Sequence, residues 1–327
     1  MKNLLLTLCL LPFIATAQEK LLWQNADSLY GPLPPSVHVF YTVNPIDTAP
    51  FQAFYLIADL KDKGLNFATD TTYKRRLTPS KFYERNGQPL VVVNGTFFSF
   101  ETNGNLNVVV KNKKLLAYNM HTIPGRGKDT LTYRHPFPSA IGISKKRRAD
   151  VAWLYTDSAT RKIYAFQVSQ YPLKDSFTAV NYKYVRSKTD EAIGHKGKVQ
   201  SVRRWKMQTA IGGGPVLIQN GSIAITNNEE LKFAGKAIND KHPRTAMGYT
   251  ADGKLIILVV EGRNNGIAHG ATLTQEAQIL KDLGCVEALN LDGGGSSCLL
   301  VNGRETIKPS DKGVQRAVPA VFLIKQN

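Results

Sequence analysis

Two carboxylates and two guanidinium groups stand where apolar runs end in this 327-residue chain. Glu261 follows LIILVV and precedes Gly262 and Arg263; Asp292 follows ALNL and precedes Gly293, Gly294 and Gly295, then Ser296 and Ser297. A third cluster, Asn94-Gly95-Thr96-Phe97-Phe98, follows LVVV, and Arg244 opens the run RTAMGYT. Side chains at the ends of buried strands sit on rigid platforms, and the loops leaving such strands form the walls of clefts. In a cleft, carboxylates serve as nucleophiles or bases, and guanidinium groups meet negative charge.

Glycines after Asp292 allow positive φ and let a ligand approach the backbone amides. Successive amides in such a turn make an anion-binding nest, to which Ser296 and Ser297 add hydroxyl donors. No Gly-Lys-Ser/Thr follows and no helical pattern comes next, so the turn is not a nucleotide P-loop. A second run, Gly212-Gly213-Gly214-Pro215, opens VLIQ and fits either ligand contact at Gly213 or close backbone packing. A hairpin turning at Asp252-Gly253 brings Arg244 and Glu261 near each other, as site partners or as a structural salt bridge.

The elements that must hold these groups are mostly strands. Short apolar runs with turn punctuation recur from residue 36 onward, and Asn220-Gly221, Asp252-Gly253 and Asn302-Gly303 carry hairpin signals. TLTQEAQILKDLG reads as a helix, with Thr272 and Gln275 as a capping box, Leu273, Ala277 and Leu280 on one face, and Gly284 as the stop. PSKFYERNG suggests a shorter one. The expected fold class is α+β: mixed, β-rich sheets with a few packed helices in a single large domain. Residues 18–49 are expected to form an N-terminal arm or edge strand before a domain over residues 50–327. The polar segment from Lys183 to Val202 reads as a loop or insertion.

Residues 1–17 combine Lys2, an apolar stretch from Leu4 to Ile14 and Ala15-Thr16-Ala17, the pattern of a cleavable signal peptide. An exported protein, periplasmic or extracellular, is expected, with no integral membrane segment once the leader is removed. Hydrophobic content of 43% and charged content of 20% are ordinary for a folded globular protein, so disorder is not expected. Lys plus Arg total 42 against 25 Asp plus Glu, a net charge of +17, which attracts phosphodiesters, acidic glycans, anionic lipid or nucleic acid. No nucleic-acid recognition motif accompanies the charge, so that partner is not expected. KKRR at 145–148 lies between IGIS and VAWLY and reads as a hairpin tip. Cys285 and Cys298 fit a disulfide or two buried thiols equally. Neither a metal nor a cofactor is expected, since no cluster has transition-metal spacing, although Asp292 and neighbouring oxygens suit a hard cation.

Five segments in order, VNGTFF, IGGGPVLIQNG, HPRTAMGYTADGKLIILVVEGR, GATLTQEAQILKDLG and ALNLDGGGSSCLLVNG, resemble the phosphodiester glycosidase family, over about residues 50–327. The resemblance implies a mixed fold with much β-sheet and a surface cavity lined by motif residues. It implies a hydrolase acting on a sugar phosphodiester such as an α-N-acetylglucosaminyl phosphodiester. Carried over position by position, it points to Asn94 and Phe97, to Arg244, to Glu261, Gly262 and Arg263, and to Asp292 with its glycines and Ser296. The family often has Gly where Thr96 stands, Asp where Glu261 stands and Thr where Cys298 stands; these differences keep charge or small size.

For such a substrate the leaving phosphate monoester departs as an anion, so a strong general acid matters less than in ordinary glycosidases. Arg244 and Arg263, helped by the glycine amides, suit the phosphate; Asp292 and Glu261 suit the anomeric carbon or its water, with Asp292 the more accessible. His242 and His269 flank the motifs as structural groups or proton relays. Trp153 and Trp205 fit core packing or sugar stacking. Two other functions share the pattern: a non-catalytic binding protein for phosphorylated or acidic glycans, and a glycosidase acting on a neutral α-glycoside. Paired carboxylates favour chemistry over binding, and the arginine pair favours an anionic substrate over a neutral one.

Overall fold

The computed structural model describes residues 20–125, 127–193 and 202–327, so the expected leader at 1–17 lies outside the described residues. Its largest sheet has eight strands, in the spatial order Gln24–Asn25, Val37–Thr42, Ala53–Asp59, Lys254–Val260, Arg244–Thr250, Cys285–Asn290, Val216–Gln219 and Ser222–Ile223. A five-stranded sheet runs Arg304–Glu305, Leu299–Val301, Val91–Asn94, Ala320–Gln326 and Leu65–Thr71. A seven-stranded sheet centres on Ala149–Asp157, Ser139–Ile143 and Thr209–Gly212. The pairings are antiparallel throughout the described residues.

Alternation explains why the central runs are apolar at every position. Along Lys254–Val260, Leu255, Ile257 and Val259 enter a core shared by these three of the four sheets, while Ile256, Leu258 and Val260 face a second core beneath the helix Leu273–Asp282. A strand buried on both faces has no polar side to show. The same logic divides the valines before Asn94: Val91 and Val93 join the shared core, and Val92 meets Phe82 of the helix Pro79–Arg85. One core touching three sheets makes this a single domain, as expected.

The helices are few. Besides the two just named, the described residues contain Asp27–Tyr30 and Tyr182–Ile193. The fold is therefore mostly β, and the helical part of the α+β expectation rests mainly on two helices packed against sheets. The Thr272 capping box forms as expected, with Thr272 Oγ1 accepting from Gln275 N. The Asp252-Gly253 hairpin pairs Arg244 with Val260, and turns at Asn220-Gly221 and Asn302-Gly303 join paired strands. KKRR lies in the turn between Ser139–Ile143 and Ala149–Asp157.

One expectation needs correcting. The segment read as a loop from Lys183 is helical through Ile193; Val185 is fully buried and Tyr182 stacks on Tyr164 with ring centres 3.7 Å apart. Residues 194–201 lie outside the described residues. Residues 18–49, expected as an arm or edge strand, contribute the edge strand Gln24–Asn25 and its neighbour Val37–Thr42, whose Val37 and Val39 are fully buried in the shared core. Among the described residues, no helix is long and apolar enough to cross a membrane.

Candidate active site

Antiparallel order sets the site's location. Arg244 begins the middle strand of a trio whose neighbours end at Val260 and Asn290, so Arg244, Glu261 and Asp292 all emerge at one end of the large sheet. Asn94 brings the five-stranded sheet to the same place. Its Nδ2 donates to Asp292 O at 2.6 Å, and its Oδ1 accepts from Thr245 Oγ1 at 2.9 Å and from Cys298 N at 3.0 Å. Gly95 O also accepts from Asp292 N at 3.0 Å. Asn94 is fully buried, so it ties sheet ends together rather than touching a ligand.

Beyond this knot lies a cavity of about 380 Å³ lined by Phe97, Phe233, Ala237, His242, Arg244, Arg263, Asp292, Gly293, Gly294, Gly295 and Arg316. Asp292 is its one carboxylate. Burial pushes the acid up to about 7, opposed by the Ser296 hydroxyl, the Arg316 guanidinium, the Gly293 amide and the Lys232 ammonium. Ser296 Oγ and Asp292 Oδ2 are both buried and neither reaches a partner within hydrogen-bond geometry, so that opposition is incomplete.

The glycines do more than open the backbone to a ligand. A Cβ on Gly294, whose φ is +60°, would stand 3.2 Å from Arg263 Nη2, and one on Gly295 would overlap the Arg316 guanidinium. One on Gly293 would come 2.9 Å from Pro243 O. Bare backbone thus lets two guanidinium groups lie directly against the turn after Asp292. Arg263 Nη2 also donates to His242 Nδ1 at 3.4 Å, and Arg316 Nε is held by Asp311 Oδ2 at 2.9 Å. Burial lowers the His242 pKa, with the Arg244 and Arg263 charges adding to the effect and Asp240 opposing it.

Arg244 completes the cationic wall. Its Nε donates to Ala271 O at 2.9 Å, and its guanidinium carbon lies 5.6 Å from the centre of the Phe233 ring. Behind it Glu276 is fully buried, and neither oxygen has a hydrogen-bond partner. Burial pushes Glu276 up to about 8, with Arg244 drawing it the other way. Lys232 lies beside the cavity, 4.9 Å from the Phe97 ring centre; burial lowers it to about 8 against the pull of Glu230 and Asp292.

Glu261, expected as the second reactive carboxylate, does not line this cavity. Strand alternation puts it on the face opposite Arg244, where Oε1 accepts from Asn264 Nδ2 at 2.7 Å and Oε2 from Lys308 N at 2.9 Å. No Arg244–Glu261 salt bridge forms, and Glu261 braces two loops. Gly262 and Gly213, expected at the ligand, are packing contacts: a Cβ at Gly262 would stand 2.8 Å from Pro243 N, and one at Gly213 would overlap Asn290 O. His269 is exposed outside the cavity lining, and Trp153 and Trp205 are buried with their indole N–H groups on Glu230 and Asp150. Cys285 and Cys298 are two buried free thiols. Arg316, Phe233 and Lys232 went unnoticed in the sequence because they lie on loops without periodicity or a recognisable motif.

Chemically, one shielded carboxylate surrounded by cations can hold an anion and place a base beside it. The same excess of cations makes it a poor oxygen cage for a metal. Replacing Asn94 with Ala strands the Asp292 carbonyl, the Cys298 amide and the Thr245 hydroxyl, an expected loss of about 3 kcal/mol in urea unfolding; a loss below about 1 kcal/mol would show the knot to be dispensable. Asp292 has a folded pKa near 7, above its ordinary 3.8, so the native state binds its proton more tightly than the unfolded chain. The resulting stability is complete below about pH 4 and is lost as the pH rises to about 7. Asp292→Asn is therefore expected to melt about 5 °C above wild type at pH 8, with the gap closing by pH 4, in scanning calorimetry. A pH-independent gap would contradict this assignment.

A family profile described as phosphodiester glycosidase matches residues 156–325. The SPbeta prophage-derived uncharacterized protein YomE of Bacillus subtilis is 42% identical over 87 residues, 27% of this chain and 13% of that protein. Human N-acetylglucosamine-1-phosphodiester alpha-N-acetylglucosaminidase is 36% identical over 103 residues, 29% of this chain and 20% of that protein. The matches thus span a fifth or less of these curated relatives. The catalytic domain of the zebrafish N-acetylglucosamine-1-phosphodiester alpha-N-acetylglucosaminidase, auto-inhibited by its pro-peptide, superposes with a TM-score of 0.59 at 19% identity, covering 94% of this chain and 89% of that one. A putative exported protein from Burkholderia pseudomallei superposes with a TM-score of 0.58 at 16% identity, covering 87% and 75%. These superpositions show a shared fold, and because the family profile matches more than half of its residues, the chain belongs to the phosphodiester glycosidase family.

Proposed function

We propose that the chain is an exported hydrolase that cleaves the glycosidic bond of a sugar phosphodiester, of the α-N-acetylglucosaminyl kind. The observation that carries this reading is the single shielded carboxylate, Asp292, sharing a cavity with Arg244, Arg263 and Arg316. Three guanidinium groups suit a phosphodiester, and they gain strength as negative charge grows on the departing phosphate. The leader-like sequence at residues 1–17 supports export, and the basic surface favours an anionic glycan.

In the proposed reaction, water attacks the anomeric carbon as the bond from that carbon to the phosphate oxygen breaks. The bonding pair leaves on the phosphate, giving a phosphate monoester, and Asp292 takes the proton from the attacking water. A phosphate leaving group needs no proton, so one carboxylate is sufficient where ordinary glycosidases use two. A base with a pKa near ambient pH is well matched to this task. Phe97 and Phe233 meet edge to face, ring centres 5.9 Å apart, and offer the apolar surface a sugar ring requires.

The test is release of sugar from an α-N-acetylglucosaminyl phosphodiester by purified protein. Asp292→Asn should lower kcat by about 10³ or more, and Arg316→Ala should lower kcat/KM by about 10² on the phosphodiester. Because the ionised acid is the active form, kcat/KM should rise with pH and level off above about pH 7. No sugar release, with phosphorylated glycans still bound by Asp292→Asn, would instead support a binding protein. Release from a neutral α-glycoside that is insensitive to Arg316→Ala would support a glycosidase of the neutral kind.

A further inference from the structure

A second hollow, of about 390 Å³, lies on the face of the seven-stranded sheet turned away from the shared core, and it has no lining residue in common with the Asp292 cavity. Five cations line it, Lys113, Lys145, Arg161, Arg204 and Lys206, and no acid does. All five residues are exposed, and none forms an ion pair or a side-chain hydrogen bond with a described residue. Like charges around one hollow repel one another, and a bound anion relieves that repulsion.

Three hairpin turns and one connecting segment bring the cations together. Lys113 sits between the strands Val109–Lys111 and Lys114–Ala117, Lys145 between Ser139–Ile143 and Ala149–Asp157, and Arg161 between Ala149–Asp157 and Lys162–Phe166. Arg204 and Lys206 belong to the segment leading from the edge strand Arg203–Arg204 to Thr209–Gly212. Within the KKRR turn, Arg147 donates to the carbonyl oxygens of Leu60, Asp62 and Leu65, which pins the turn and leaves Lys145 to the hollow. Lys113 and Arg161 have φ of +64° and +54°, left-handed positions where Gly or Asn is less strained than a long cation. The floor is equally fixed: Trp205 donates to Asp150, and a Cβ on Gly142 would stand 2.5 Å from Met207 Cγ and 2.6 Å from the Trp205 ring.

The lining also says what kind of anion fits. One phosphate or carboxylate engages about two or three donors, whereas cations on several segments match several anionic groups along one chain. Trp205, the one aromatic of the lining, is 6% exposed, so nucleic-acid bases find no ring to stack on. Ile163 is likewise buried, which leaves no apolar side chain standing proud to enter a lipid surface. An anionic glycan needs neither feature, since its charged groups project from a polar backbone.

We propose that this hollow is a second binding site, for a polyanionic glycan held through its phosphate, sulfate or carboxylate groups. The site stands whether or not the Asp292 cavity is catalytic, because no residue serves both.

Fluorescence anisotropy with a labelled heparin decasaccharide tests the proposal, heparin serving as a soluble polyanionic glycan. The chain carries +17 overall, so the control removes equal charge elsewhere. Lys145→Ala, Arg204→Ala and Lys206→Ala together are expected to weaken binding about tenfold or more. Lys63→Ala, Lys81→Ala and Lys281→Ala, at exposed lysines outside the hollow, should together weaken it less than about threefold. Equal weakening by the two triple variants shows bulk charge at work and overturns the proposal, as does a wild type that does not bind heparin. Single-stranded DNA and phosphatidylglycerol vesicles are expected to bind wild type more weakly than heparin does. If either binds at least as tightly and is released by the first triple variant, the hollow belongs to nucleic acid or lipid and the glycan proposal falls.

Discussion

The site depends on one buried amide. Asn94 stands at the end of a strand in the five-stranded sheet, yet its side chain bonds to the backbone of Asp292 and Cys298 and to the hydroxyl of Thr245, which belongs to the eight-stranded sheet. Only a side chain with both a donor and an acceptor can serve all three partners at once. The Thr245 and Cys298 bonds are buried, so a lost partner there leaves a polar atom unsatisfied rather than hydrated. The position of Asp292 relative to Phe97, which follows Asn94 by three residues, is therefore fixed by hydrogen bonding instead of loop packing.

On that anchor the cavity assembles an electrostatic imbalance. Arg244, Arg263 and Arg316 surround one acid, and Lys232 lies just outside. Even so, burial holds Asp292 well above the ordinary carboxylate range. Desolvation outweighs the Arg316 and Lys232 charges that oppose it, while Arg244 donates to Ala271 O, Arg316 to Asp311, and Arg263 to His242. Arg316 already has the Asp311 carboxylate as counter-charge, and an anion entering the cavity would add to it beside Arg244 and Arg263. Glu276 behind Arg244 repeats the pattern, a buried acid whose oxygens have no hydrogen-bond partner and whose burial also favours the neutral form.

Much of this was legible in the sequence, for reasons that individual residues make plain. The capping box at Thr272, the Asp252-Gly253 turn and the alternating run LIILVV are local signals, and each produced the element it suggested. Asp292 and Phe97 stood out by motif, and both line the cavity. Glu261 was misjudged because which face a residue takes depends on register: the Arg244–Val260 pair turns Glu261 to the other side. Arg316 was missed because its importance comes from lying against Gly295, a contact across 21 positions that no local pattern encodes. The helix Tyr182–Ile193 was read as a loop because its sequence is polar, although Val185 and Tyr182 suffice to dock it.

The account's central claim is that the cavity isolates Asp292 as a lone acid with a strongly raised pKa. Carbon-13 NMR titration of the aspartate carboxyl groups tests it directly. One resonance is expected to titrate near pH 7 in wild type and to be missing in Asp292→Asn. If all aspartates of the wild type titrate below about pH 5, Asp292 is an ordinary solvated carboxylate and the proposed base is lost.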